Sequence, residues 1–298
     1  MKDVYKELLA CLPLPLRREI ARMQQTNADF FSRLEEIRLR AGHRVALTLD
    51  GRNLLLPLSL TEGEVSAAFE ALCDGSVYAY AESLRAGYIS RFGLRIGVAG
   101  RVVVEGGRIR SLTDVRSLCI RIPHHIEGAG EVGVRTFLSM GGRRGLIVYS
   151  PPGVGKTTLL RDLAYTLSRG ENARRTVLVD TRGELYGEEA PAACQLDVLR
   201  DCPIAEGITL ATRTLSPQLI VCDEIGSEAE ANAVLSALGC GVPVVASAHG
   251  GSVDEIRTRP ALARLLDAGA FGAAVGIRRA EQGYLYDVCS LEESLCFA

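Results

Sequence analysis

The stretch 148-VYSPPGVGKTTLLRD-162 decides how the rest of the chain is read. An apolar run enters a loop of small residues, and a helix-forming segment leaves it. The phosphate-binding loop follows the pattern Gly-x-x-x-x-Gly-Lys-Ser/Thr. Here Ser150 stands where the first glycine belongs, and Pro151 and Pro152 follow it. That position precedes the curl of the loop, and the prolines stiffen its entrance without removing later N–H donors. Gly153 and Gly155 supply the small residues that let successive backbone N–H groups close around phosphate. Pro152, Gly153, Val154, Gly155, Lys156, Thr157 and Thr158 form the expected cradle. Lys156 would reach the β- and γ-phosphates, and Thr157 would place its hydroxyl on Mg²⁺. The helix that starts there adds its dipole to the anion site.

Lysine usage supports a working loop. The chain has 34 basic residues, but its lysines are Lys2, Lys6 and Lys156 alone; the rest are arginine. A lysine is kept at the one place where a compact ammonium must fit inside a tight loop, where the planar arginine fork cannot substitute.

Two further strand ends read as parts of the same site. Segment 219-LIVCDE-224 is apolar until its last two residues. Asp223 suits the Mg²⁺ shell, and Glu224 would orient or deprotonate the attacking water. Strand 242-VPVVASA-248 runs into Ser247 and His249, which compete to touch the γ-phosphate or the water. Segment 180-DTRGE-184 leaves another strand end, so Asp180, Arg182 and Glu184 are secondary candidates. Strand 176–180 falls between the loop strand and the acid strand. With the Glu beside the Mg²⁺ aspartate, that places the domain among the additional-strand P-loop ATPases. No Asn-Lys-x-Asp guanine-reading motif occurs, so ATP is favoured over GTP.

The flanking sequence sets the architecture. From residue 145 onward, short buried runs alternate with helices, which implies a parallel sheet in an α/β fold. The runs 271–277 and 284–289 flank a turn at Gln282-Gly283 and read as an antiparallel hairpin on the sheet edge. Residues 1–135 read as a smaller α+β amino-terminal domain: helix to residue 28, alternating strands around Asp50-Gly51, a capped helix after Thr61, and a Gly-punctuated meander over 87–112. The boundary is expected in the Gly-rich stretch 126–145, giving a second domain of 136–298.

Composition excludes little but limits much. The net charge is −2, split as +3 over residues 1–140 and −5 over the remainder. Residues 85–121 carry eight arginines against Glu105 and Asp114, which reads as an anion-binding surface or a solvated sheet face. Nine scattered cysteines without a Cys-x-x-Cys pair speak against a zinc ribbon and for reduced thiols in a cytosol. The adjacent His124 and His125 read as a loop feature rather than metal ligands. No run is long enough to span a membrane, so a cytoplasmic protein with peripheral attachment is expected.

The motifs together carry a family likeness. The runs 149–162, 180–184, 216–226 and 246–250, with 35-EEIRLRAGHRV-45 and 87-GYISRFGLRIGVAGR-101, resemble the stage III sporulation protein AA family. The likeness covers nearly the whole chain, although Thr181 departs from the family's Asp-Glu-Arg-x-Glu pattern. It implies a RecA/AAA-like P-loop ATPase domain related to the type II/IV secretion ATPases. The implied role is a motor ATPase of the mother-cell-to-forespore channel in endospore-forming bacteria, with membrane-embedded channel proteins as partners. The implied form is a ring, a hexamer, docked on the cytoplasmic side of the membrane. His249 falls on the position resembling the secretion ATPases' histidine motif. In such rings arginines reach the phosphates within or between subunits, and Arg91, Arg95, Arg101 and Arg213 are the candidates. A nucleic-acid-stimulated ATPase and an ATP-binding scaffold with little turnover are the alternatives. A pI near 6.2 and the absence of tryptophan speak against nucleic acid.

Overall fold

The computed structural model describes residues 2–122, 126–186, 193–280 and 283–291. His124, His125 and Gln282 lie outside them. Contacts divide the chain into two units, Met1–His124 and His125–Ala298.

The first unit pairs helices with an antiparallel sheet. Pro13 and Pro15 split the first helical run into α1 (Lys2–Cys11) and α2 (Leu14–Thr26), and a short α3 (Phe30–Arg33) follows. Strands β1 (Leu34–Arg40), β2 (Arg44–Leu49) and β3 (Arg52–Ser59) lead to α4 (Glu62–Leu72). Thr61 caps α4 in a reciprocal box with Glu64, as its spacing predicts, and Val65, Ala68, Phe69 and Leu72 are the buried face. A 3-10 turn and α5 (Ala81–Arg85) precede β4 (Tyr88–Arg91), β5 (Leu94–Glu105) and β6 (Arg108–Arg121). The sheet order is β3-β2-β1-β6-β5-β4. Asp50-Gly51 turns the β2–β3 hairpin and Gly106-Gly107 the β5–β6 hairpin, with positive φ at both residues of each turn. The strand expected over 116–122 is the end of the longer β6.

The second unit opens with α6 (Glu131–Ser139), in the stretch expected to be a connection. Its buried Gly133 and Phe137 face the core, and a Cβ on Gly133 would lie 2.8 Å from Leu163 Cδ1. The helix belongs wholly to this unit, so the division falls before it and not at residue 135. Next come β7 (Gly145–Ser150), α7 (Lys156–Leu167), β8 (Thr176–Asp180), β9 (Leu196–Arg200), α8 (Ile204–Thr214) and β10 (Leu219–Glu224). Then follow, among the described residues, α9 (Glu228–Gly239), β11 (Val244–His249), α10 (Val253–Arg257), α11 (Pro260–Asp267), β12 (Phe271–Arg279) and β13 (Tyr284–Ser290). The sheet order is β13-β12-β7-β11-β10-β8-β9. All neighbours are parallel except β12 and β13, the expected edge hairpin.

The order corrects one expectation. The strand inserted between the loop strand β7 and the acid strand β10 is β11, and β8 lies beyond β10. Position in sequence between two motifs does not fix position in the sheet, because each helical crossover can carry the chain past a neighbour. Strand β9 is a second surprise. Its burial is intermediate to exposed, as befits an edge strand, so it lacks the apolar run that marks the central strands.

Candidate nucleotide site

Strands β7, β10 and β11 end on the same edge of the sheet because they are parallel. β7 is buried at every position, Ser150 included. Ser150 has no positive φ; it is the last strand residue, and its hydroxyl donates to the Pro151 carbonyl at 2.8 Å. A glycine is therefore not required there. Gly153 (φ +72°) and Gly155 (φ +101°) are the positions that need one. Gly155 caps α7, so Lys156, Thr157 and Thr158 form its first turn, where backbone N–H groups point out of the helix.

Lys156 is 6% exposed. Its Nζ donates to the carbonyls of Ser150 (3.0 Å) and Pro151 (3.2 Å) and to Nδ1 of His249 (2.9 Å). Burial pushes the ammonium below the ordinary lysine range, opposed by the charges of Glu224 and Asp223. Because an ammonium only donates, His249 Nδ1 accepts and its Nε2–H faces Glu224 Oε2, 3.0 Å away. Lys156, His249 and Glu224 thus form one line from the start of α7 across the ends of β11 and β10.

Asp223 sits beside that line. Ser247, fully buried on β11, donates to Asp223 Oδ1 at 2.9 Å. Burial pushes the Asp223 carboxyl above its usual range; the Ser247 hydroxyl and Arg182 pull it down, while Glu184 and Asp180 push it up. The structure therefore uses both residues that compete in the sequence: Ser247 serves Asp223, and His249 serves Lys156 and Glu224.

Segment 180–186 is held by its own backbone. Asp180 accepts from the N–H groups of Glu184 (2.9 Å), Leu185 (3.1 Å) and Tyr186 (2.9 Å), so its carboxylate is committed to shaping the turn and not to a phosphate. Arg161 on α7, 4% exposed, donates to the Leu185 carbonyl at 2.9 Å and also to the Glu184 carbonyl. Arg182 and Glu184 remain close enough to act on Asp223 through charge.

Arg161 and its buried neighbour Asp162, which accepts from the Gly130 N–H at 2.7 Å, escaped the sequence reading. Their signal was available: 159-LLRDLAYTL-167 places two charges among apolar neighbours on a helix with little polar face.

The arginine candidates are spread out. Arg91 pairs with Asp74 at 3.3 Å, Arg95 lies over the Tyr88 ring at 3.7 Å, and Arg101 is exposed on β5. Arg110 and Arg116 are engaged by Glu105 and Glu62, so part of the basic stretch is neutralised within its own unit. Arg213 is exposed in the last turn of α8, which leads into the start of β10. It therefore lies at the sheet end opposite Glu224. Among the described residues no group of His, Cys, Asp and Glu is arranged to hold a metal by itself. No helix among them is long and apolar enough to cross a membrane.

Comparison with known proteins gives a consistent answer. The ATPase DotB of Legionella pneumophila has a similar structure (TM-score 0.65, 16% identity, 95% of this chain and 83% of that one). So does the pilus retraction motor PilT solved with bound ADP (TM-score 0.62, 15% identity, 91% and 83%). At such identities the likeness establishes the fold alone, a RecA-like α/β fold shared with those two proteins. The stage III sporulation protein AA of Bacillus subtilis (strain 168) is 35% identical over 257 residues, 83% of each chain. The family described as "Sporulation stage III, protein AA" matches residues 3–284, and the chain belongs to it.

Proposed function

We propose that the protein is an ATP-hydrolysing motor of a membrane-associated sporulation channel, acting on the mother-cell cytoplasmic face as a hexameric ring. The observation that carries this reading is the line Lys156–His249–Glu224 at the edge of a parallel sheet, with Asp223 alongside. A structural ion-pair network would not place a lysine on a left-handed glycine loop at a helix start. The likeness to DotB and PilT, and the membership in a sporulation family, support the motor and its setting.

Each residue has a task on this reading. The N–H groups of the loop and the first turn of α7 hold the phosphates. Lys156 exchanges the carbonyls of Ser150 and Pro151 for phosphate oxygens. The residues fit a divalent cation: burial and acidic neighbours push the Asp223 carboxyl above its usual range, which a dication relieves, and Thr157 offers a hydroxyl in the first turn of α7. Thr157 and Asp223, largely through water, would hold Mg²⁺, which neutralises phosphate charge when bound. Glu224 accepts the proton of the attacking water, and His249 holds its carboxylate in place. Because the same imidazole touches Lys156, a change in what the lysine binds is felt at Glu224. Arg182 and Glu184 tune Asp223. Arg91, Arg95, Arg101 and Arg213 are the candidates to reach a phosphate, Arg213 only on a neighbouring copy.

The test is specific ATPase activity against protein concentration, with sedimentation on the same samples. Activity that rises as oligomers form supports the ring with shared sites. Constant specific activity from monomer to oligomer refutes shared sites, and oligomers that bind ATP without turnover favour the scaffold reading.

A further inference from the structure

Beside the phosphate loop lies an open pocket of about 150 Å³. Gly155 and Thr158 form its loop side, Val154, Leu159 and Ile277 its walls, and Tyr284 and Tyr286 its rim. The tyrosines are two apart on β13, so both project from the same sheet face. Ile277 opposes Tyr286 across the β12–β13 ladder. A Cβ on Gly155 would lie 3.9 Å from the Tyr284 ring, which is 44% exposed.

The sheet order gives the pocket a direction. Lys156 points to His249 and Glu224, on the β11 and β10 side of β7. On the proposed reading that side takes the terminal phosphate. A triphosphate lying along the loop then leaves the opposite way, past Thr158, toward β12 and β13. The pocket is where the rest of the nucleotide arrives.

Its chemistry is specific in what it omits. Among the described residues, no charged or amide side chain lines it. The side-chain polar groups are the hydroxyls of Thr158, Tyr284 and Tyr286. Nothing there matches the donor and acceptor pattern of one base edge, while an exposed aromatic face is available. Aromatic stacking is sequence-tolerant because every base has a π-face.

We infer that this pocket is a purine subsite that holds the base by stacking on Tyr284 and by apolar contact, without reading its edge. The inference rests on the nucleotide reading of the loop. It extends it: selection of ATP over GTP at this site is weak, although the chain lacks a guanine-reading motif.

The experiment is calorimetric binding of ATP, GTP and tripolyphosphate, each with Mg²⁺, to the wild type, Tyr284→Ala and Tyr284→Phe. Tripolyphosphate carries the phosphates without a base and serves as the fold control for each variant. Wild type is expected to bind ATP and GTP within about tenfold of each other. Tyr284→Ala is expected to lose roughly tenfold or more for both nucleotides. It should bind tripolyphosphate as wild type does, and Tyr284→Phe should match wild type throughout. Discrimination between ATP and GTP beyond about a hundredfold, or ATP affinity unchanged in Tyr284→Ala, overturns the stacking pocket alone. Wild type that binds neither ATP nor tripolyphosphate overturns the phosphate loop itself.

Discussion

Replacing Glu224 with glutamine separates chemistry from binding. Glu224 ends β10 with its side chain 28% exposed, and its Oε2 lies 3.0 Å from His249 Nε2. Glutamine is nearly the same size and keeps an oxygen to accept that hydrogen bond. The bond changes from charge-assisted to neutral, a loss of about 1 kcal/mol, reduced further by partial exposure. The fold therefore survives. The amide cannot take a proton, and a positioned general base is worth about 10²–10⁴ in rate. That corresponds to roughly 2.7–5.4 kcal/mol on the barrier. Binding should hold or tighten, because a negative charge is removed beside the incoming phosphates. The assay pairs steady-state phosphate release with equilibrium ATP binding on the same preparation. The expected result is a fall in kcat of about 10²–10⁴ with unchanged or stronger ATP affinity. A kcat within threefold of wild type with binding intact refutes Glu224 as the base. Equal losses of binding and rate would place Glu224 among the groups that hold the nucleotide instead.

Three other changes test other links. His249→Ala leaves Glu224 chemically intact but unheld, so kcat should fall by up to about a hundredfold with little change in ATP affinity, measured as above. Asp223→Asn should raise the melting temperature of the nucleotide-free protein at neutral pH while weakening Mg²⁺-dependent ATP binding. Because the folded pKa of Asp223 is raised, stability is lost as pH rises from the ordinary aspartate value through the folded one. The gain from asparagine should therefore vanish in acid, as thermal melts across pH would show. Each kcal/mol relieved is worth about 2–4 °C. Gly130→Ala would set a Cβ 2.4 Å from the Leu163 backbone nitrogen in α7. Backbone cannot rotate away, so urea melts should show a loss of about 1–3 kcal/mol.

The parts legible in the sequence are those that a single local rule governs. The loop, the acid strand end and the capped helix α4 each state their chemistry within a few residues. The central strands were visible because burial on both faces forces uninterrupted apolar runs. Strand β9 was not, since an edge strand needs no such run. The place of β11 between β7 and β10 was hidden for a different reason: strand order is decided by crossovers, which leave no mark on the strands themselves. The same ordering brings His249 between Lys156 and Glu224, so the line could not be seen before the sheet was. Helix α6 was masked by its glycines. Gly133 reads as a connection in the sequence, yet it sits where α6 packs closely on α7, and a Cβ there would meet Leu163 Cδ1 at 2.8 Å.

The electrostatics of the site point to what it is built to receive. Without a ligand, burial penalises the charge of Lys156, opposed only in part by the charges of Glu224 and Asp223, and burial also penalises the charge of Asp223. Two buried charges of opposite sign could have been paired and so relieved. The two lie within reach of each other's charge, yet their hydrogen bonds go elsewhere. Lys156 is turned onto Ser150, Pro151 and His249, and Asp223 onto Ser247. Sites selected for stability alone do not retain both costs. A ligand that relieves them together must bring negative charge to the lysine and positive charge to the aspartate. A phosphate chain with a divalent cation has that composition, whereas a lone anion relieves only one. Tripolyphosphate should therefore raise the melting temperature more with Mg²⁺ than without, and Asp223→Asn should remove that difference while leaving the cation-free increment. An equal increment with and without Mg²⁺ in the wild type would show that Asp223 is not the cation's partner.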